Sequence, residues 1–368
     1  MIMMNELYDL AIIGAGPAGS TLARELAKVR PDIKSILING QSDDAPKPCG
    51  GLLAPDAQEV LARFDLTLPT SVLSDPQIFA VETIDLEANL VRYYRRHYLN
   101  MNRYAFDRWL ISLIPNNVEI INGRCVFIVD KGEKFTLMLH GGHEIYAKAI
   151  VGADGASSIV RKTFFKPCSK KYIAIQQHFT GSAEALPYYS CIFDKATSES
   201  CSWSIHKDGN IIFGGAFEIK NGRKRFEQQK DRLEKFFKSS LGDPIKTEAC
   251  LVCSPRRLGD FNCGRANVYL IGEAAGFISS SSFEGISSAM LSGKFLAEAL
   301  IAARGEKSAA KIYRKKCRKL QFKLSMKIFK RKILCSPFLR KLIIKSGITS
   351  VKKYNNIPEA PNISAASR

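Results

Sequence analysis

The chain has 368 residues, 46% of them hydrophobic and 24% charged, with 26 Gly and 15 Pro. This is a globular composition that excludes collagen-like, disordered and coiled-coil classes and suffices for one large or two ordinary domains. The net charge of +19 is concentrated: from Lys307 to Pro358 no acidic residue occurs while 17 of the 54 basic residues do, and the remaining 37 nearly balance the 35 acidic ones. No apolar run reaches the roughly eighteen residues of a membrane span, and the chain enters a strand pattern early rather than a signal peptide. A cytoplasmic protein, peripheral on the inner face of a membrane, is therefore expected. Ten cysteines scattered through a chain of this size read as free thiols. Cys250 and Cys253 form a CxxC with Cys263 downstream, but no second pair or nearby His completes a zinc set, so no metal is expected.

The run Tyr8 to Ile13 predicts a buried strand, followed directly by Gly14-Ala15-Gly16-Pro17-Ala18-Gly19 and a helix over Thr21 to Lys28. A second strand follows over Ile33 to Ile38. This order of strand, glycine turn, helix and strand is what a dinucleotide site requires. Gly14 permits the tight turn, Gly16 lets backbone approach a pyrophosphate, and Gly19 lets helix and strand pack closely; Pro17 and Ala18 open the helix, whose N-terminus faces the phosphates. The acidic ribose anchor expected at the end of the second strand is replaced by Asn39. Further along, Ala149 to Arg161 ends a strand in a turn containing Asp154 and Gly155. Asn267 to Gly285 repeats that logic with Gly272, Glu273 and Gly276, and leads from Gly285 and Ile286 into a helix reaching Ala303.

These two later segments resemble the downstream fingerprints of the glutathione-reductase-type flavoproteins, in their p-hydroxybenzoate-hydroxylase-like branch. Lys47-Pro48-Cys49-Gly50-Gly51 is similar to the Cys-Gly-Gly loop of the geranylgeranyl reductases, and Arg103-Tyr104-Ala105-Phe106-Asp107 to that family's Arg-x-x-Phe-Asp helix start. The stretches KPCGGLLAPDAQ, PYYSCIFD, SWSIHKDG and LIGEAAGFISSSSFEGIS resemble its colicin M resistance branch. The resemblance implies an α/β fold: an FAD-binding Rossmann domain from residues 1–72, 98–166 and 262–305, a mixed β-sheet substrate domain from 73–97 and 167–261, and a basic helical segment over 306–368. It implies FAD as cofactor, with NAD(P)H or another reductant as donor, and reduction of double bonds in a prenyl lipid held between the two domains. Glu273 departs from the family's Asp, and the reductases' Tyr-x-Trp-x-Phe-Pro segment keeps only Trp203. Cys49 and Trp203 are the expected catalytic residues. Cys49 shapes the site or handles the proton, or is simply a buried thiol; His206 and His178 are weaker donors.

Tyr189, Trp203 and Phe213 line a prenyl pocket or fill a core, and Arg92, Arg95 and Arg96 suit a phosphate head group or a solvated face. In the C-terminal segment, helices are expected from Ala309 to Leu334 and from Pro337 to Ser346. On the first, Tyr313, Cys317, Leu320, Leu324 and Ile328 form one apolar stripe, and Phe322, Met326, Phe329 and Ile333 nearly the opposite one. An anionic membrane surface is the expected partner, and nucleic acid is not. The main rival function is a flavin-dependent monooxygenase of an aromatic or lipid substrate; no Trp-x-Trp-x-Ile segment points to a halogenase.

Overall fold

A computed structural model describes residues 6–41, 47–181, 188–303, 306–347 and 350–351. The chain divides into two compact units. The first runs from the first described residues to Leu73, then Met101–Tyr172 and Cys250–Arg331. Its sheet places the strands in the order Val268–Leu270, Glu144–Gly152, Leu7–Ile13, Ser35–Asn39 and Glu119–Asn122, all parallel. The strands Cys125–Asp130 and Phe135–Leu139 extend Glu144–Gly152 as an antiparallel meander. Parallel strands must be covered on both faces, which is why the central ones are unbroken apolar runs such as Ala11-Ile12-Ile13 and Ile36-Leu37-Ile38, nearly all fully buried.

The helix Pro17–Val29 sits against this sheet by backbone contact: a methyl placed on Gly19 would lie 1.9 Å from the Gly14 carbonyl oxygen. On its other side the helix Ile286–Ala302 approaches as closely, since a methyl on Gly293 would lie 2.5 Å from the Ala18 carbonyl oxygen. Observed element boundaries agree with the sequence reading to within about four residues, the largest difference being the helix expected from Thr21 that begins at Pro17.

The described residues of the basic segment expected over 306–368 group with both units. Through Arg331 it belongs to the first unit. The stripe Tyr313, Cys317, Leu320 and Leu324 of the helix Glu306–Leu334 is buried in the first core, and the Tyr313 hydroxyl donates to the Leu270 carbonyl at 2.9 Å. Phe322, Met326 and Phe329 stay exposed. Among the described residues no helix is long and apolar enough to cross a membrane.

The second unit comprises Ser74–Asn100, Ile173–Ala249 and the described residues from Lys332 onward. Its mixed sheet orders the strands Lys246–Cys253, Lys171–Thr180, Asn210–Phe217, Cys201–Lys207, Tyr188–Phe193, Ile78–Asp85 and Leu90–Asn100. The helix Gly222–Phe237 covers one face, with Phe226 stacked on Phe213 at 5.3 Å. Phe213 is wholly buried in that core, so it lines no pocket: its register puts it on the face the helix covers. Arg92 is engaged within the protein: its guanidinium donates to Ser350 Oγ and, at 2.7 Å, to the Ile343 carbonyl. Arg95 donates to His97 at 3.3 Å, and Arg96 lies over the Tyr98 ring. Arg340, on the helix Pro337–Ser346, is buried with Asp85 in a 2.7 Å ion pair and also donates to the Leu334 carbonyl.

Replacing Tyr313 by Phe should leave the Leu270 carbonyl unpaired inside the core and cost about 1–2 kcal/mol in urea denaturation, with the secondary structure unchanged.

Candidate functional site

Three backbone turns of the first unit come together. Gly14 has φ +110° and its N–H donates to the Ile38 carbonyl at 2.9 Å, while Ala153 N–H donates to the Ile13 carbonyl at 2.8 Å. A methyl on Gly14 would lie 2.5 Å from the Ala153 oxygen, so the first and second turns are in backbone contact. Gly16 differs: its φ of −70° suits any residue, and a methyl there would meet nothing within 4 Å. It opens onto empty space at the N-terminus of the helix Pro17–Val29, which has no side-chain cap and no acidic residue in its first turn. The N–H groups of Ala18 and Gly19 therefore face that space with a positive helix end behind them.

The third turn, Gly272 to Gly276, is tied to the second by Arg161. This buried guanidinium donates to the Ala274 carbonyl at 3.0 Å, to Asp260 at 2.8 Å and to Lys166 at 3.0 Å. Gly272 N–H donates to Ser292 Oγ at 2.9 Å. Gly285 precedes the helix Ile286–Ala302 and leaves its N-terminus without a side-chain cap.

Asp154 lies in the second turn. One carboxyl oxygen accepts from Ile159 N–H at 2.7 Å, and the other, Oδ1, is buried with no partner. Burial pushes its acid up to about 6, against the hydrogen bonds from Ser158 and the Ile159 backbone. Beside it, Glu273 reaches the Cys253 N–H with one oxygen and the Lys47 ammonium with the other, each at 2.9 Å. Glu273 holds the Lys47 ammonium above its ordinary range. The pair lies over Gly155, where a methyl would come within 3.6 Å of Glu273 and 3.7 Å of Lys47.

Lys47 leads into the cysteine loop. Gly51 has φ +67°, its N–H points at Cys49 Sγ at 3.4 Å, and its carbonyl accepts from Met101 N–H at 2.8 Å. Arg103, the first residue of the helix Arg103–Ser112, hydrogen-bonds Cys49 and donates to Asp107 at 3.0 Å. Burial works against the Arg103 charge, but Asp107 and the Cys49 sulfur outweigh it and keep the guanidinium firmly protonated. Cys49 thus has the Gly51 N–H at its sulfur and the Arg103 charge beside it. Cys250, whose thiol donates to the Pro48 carbonyl at 3.8 Å, is pushed up to about 11 by burial and stays neutral.

The structure therefore brings together Gly14, Gly16, Pro17, Ala18, Gly19, Cys49, Gly50, Gly51, Arg103, Asp154, Gly155, Gly272, Glu273 and Gly276 within one unit. Asn39 is more committed than a free ribose anchor: its amide donates to Asn122 at 3.0 Å and accepts from Gln41 N–H at 3.2 Å, leaving one N–H. Trp203 belongs to the second unit, where its indole covers Gly214 so closely that a methyl there would lie 2.6 Å from Nε1. There too, His178 pairs with Glu248 at 3.0 Å, and burial pushes the His206 imidazole down. Sequence reasoning missed the tying role of Arg161 and the Lys47 to Glu273 bridge. Arg161 closes the second fingerprint and could have been singled out on that ground; the bridge spans 226 residues and left no local signal.

The chain is similar to solved flavin-dependent oxidoreductases in its fold. A geranylgeranyl bacteriochlorophyll reductase-like protein from Thermoplasma acidophilum matches with a TM-score of 0.77 and 18% identity, covering 92% of this chain and 91% of the other. The p-nitrophenol 4-monooxygenase PnpA from Pseudomonas putida matches with a TM-score of 0.69 and 16% identity, covering 93% of each. The sequence profile described as lycopene cyclase protein matches residues 9–187. Protein CbrA of Escherichia coli O6:H1 is 45% identical over 359 residues, 96% of this chain and 97% of the relative. The chain belongs to the CbrA family.

The raised Asp154 acid has a consequence for stability. Its protonated form stabilises the folded state below about pH 4, and that contribution is lost as the pH rises through about 6. In flavin-free protein, Asp154→Asn should therefore gain stability relative to the parent chain between pH 4.5 and 7, by on the order of 2 kcal/mol, in urea titrations.

Proposed function

We propose that the protein is an FAD-dependent oxidoreductase that saturates carbon–carbon double bonds of a prenyl lipid, drawing electrons from NAD(P)H or another reductant. The observation that carries the cofactor assignment is the open space at Gly16, at the uncapped N-terminus of the helix Pro17–Val29. A dinucleotide fits these groups in chemistry: N–H donors for a pyrophosphate, and the last Asn39 N–H for a hydroxyl.

Saturating an isolated double bond needs a hydride at one carbon and a proton at the other. Reduced FAD supplies the hydride, which no side chain can do. This chain's residues have the remaining tasks. The free N–H groups at the start of the helix Pro17–Val29 would hold the pyrophosphate. Lys47 and Glu273 clamp the cysteine loop against the second and third turns. Gly51 N–H and Arg103 orient Cys49 Sγ, which delivers the proton and is reprotonated from solvent. The prenyl substrate class rests on the Cys-Gly-Gly loop and on membership of a family whose fold neighbours include a reductase-like protein.

Purified protein reduced with dithionite and incubated anaerobically with polyprenyl phosphates and diphosphates should reoxidise its flavin and yield lipids heavier by pairs of hydrogens in mass spectrometry. Cys49→Ser should slow that step by about tenfold to a hundredfold while flavin stays bound. Unchanged lipid masses together with substrate-dependent oxygen uptake in air would overturn the reductase reading in favour of a monooxygenase.

A further inference from the structure

The exposed face of the helix Glu306–Leu334 has no part in the candidate site, and its composition is unusual for a surface. Phe322, Met326 and Phe329 are exposed by 70%, 52% and 59%. At about 100° per residue they fall within one narrow stripe, opposite the stripe of Tyr313, Cys317, Leu320 and Leu324 that is buried in the core. The helix is thus seated on one side by burial and by the Tyr313 hydroxyl bond, and cannot turn its second apolar stripe inward. Exposed lysines and arginines line the edges of that stripe: Arg314 and Arg318 on one side, Lys319 and Lys330 on the other.

The helix Pro337–Ser346 repeats the arrangement by itself. Arg340 is buried against Asp85 on its inner side, while Phe338 and Leu342 are exposed by 70% and 52% on the outer side, next to exposed Lys341 and Lys345. Two helices in succession therefore present large apolar side chains within a stretch that holds 17 basic residues and no acidic one.

We propose that these two outward faces dock on an anionic lipid bilayer. Charge and apolarity select this partner together. Basic residues alone would be satisfied by any polyanion, but a nucleic acid offers its phosphates and grooves no apolar interior to receive Phe322, Met326 and Phe329. A bilayer surface offers both: anionic head groups for the flanking ammonium and guanidinium groups, and an acyl boundary for the stripe between them. Docking lays each helix in the plane of the surface, with its anchoring contacts to the protein unchanged. The inference is independent of the flavin chemistry, since no residue of either face belongs to the candidate site.

The test is cosedimentation of the full chain with vesicles of phosphatidylcholine alone or with about 30% phosphatidylglycerol, at about 0.1 M and 0.5 M salt. The protein should bind the anionic vesicles at low salt, release in large part at high salt, and ignore the neutral ones. The triple variants Phe322→Ser, Met326→Ser, Phe329→Ser and Arg314→Glu, Arg318→Glu, Lys319→Glu should each lose about tenfold or more in partitioning. Thermal melting reports whether the variants keep their fold. Independently of them, Phe322→Trp in the otherwise unchanged chain should shift its fluorescence to the blue on adding anionic vesicles. Partitioning that is unaffected by the serine variant, absence of that spectral shift, or tight binding of duplex DNA without vesicle binding would each overturn the proposal.

Discussion

Backbone touching backbone is the constraint on which the first unit depends. At Gly19 the helix Pro17–Val29 comes so near the Gly14 carbonyl that no side chain fits between, and at Gly293 a second helix comes as near to Ala18. Contacts of this kind cannot be relaxed by changing a rotamer, so the helix axis is held between sheet and helix with little freedom. The direction of its N-terminus follows from that seat, and with it the position of the Ala18 and Gly19 N–H groups. Gly16, one turn away, is the exception: a methyl there would meet nothing within 4 Å.

The charged groups of the site act on this frame rather than create it. Arg161 binds three carbonyl groups and ties the second turn to the third, a use of guanidinium geometry that a lysine could not reproduce. Lys47 and Glu273 do the corresponding work for the cysteine loop, and Arg103 with Asp107 for its sulfur. At the site Glu273 and Asp107 are thus paired with cations, whereas one oxygen of Asp154 is buried without a partner and burial makes it a weaker acid. The strongly basic helices are a separate electrostatic system, with their charge on outward faces and their buried sides neutral apart from paired Arg340 and the Arg331 guanidinium that donates to the Tyr172 hydroxyl at 3.2 Å.

Much of this was legible in the chain because the signals are local. A glycine turn between an apolar strand and a helix names its own neighbours, and the two stripes of the helix Glu306–Leu334 follow from residue spacing alone. What escaped depends on long-range register. Phe213 and Trp203 belong to adjacent strands with similar alternation, yet only the register shows that Phe213 faces the helix Gly222–Phe237. Arg92 looked like part of a cationic cluster until the chain folded Ile343 and Ser350 onto it. Glu273 was visible as a departure from the family's Asp, but its two partners, Lys47 and Cys253, lie in other segments and could not be inferred from its neighbours.

The central claim is that the first unit is shaped around a dinucleotide at Gly16. Its most direct test is FAD titration of flavin-free Gly16→Val, followed by fluorescence quenching, beside thermal melting of the same protein. A Cβ at this position lies more than 4 Å from other protein atoms and needs no unusual backbone angle, so the melting temperature should stay within about 2 °C of the parent while FAD affinity falls by about a hundredfold or more. Unchanged FAD affinity in a folded Gly16→Val chain would contradict the account.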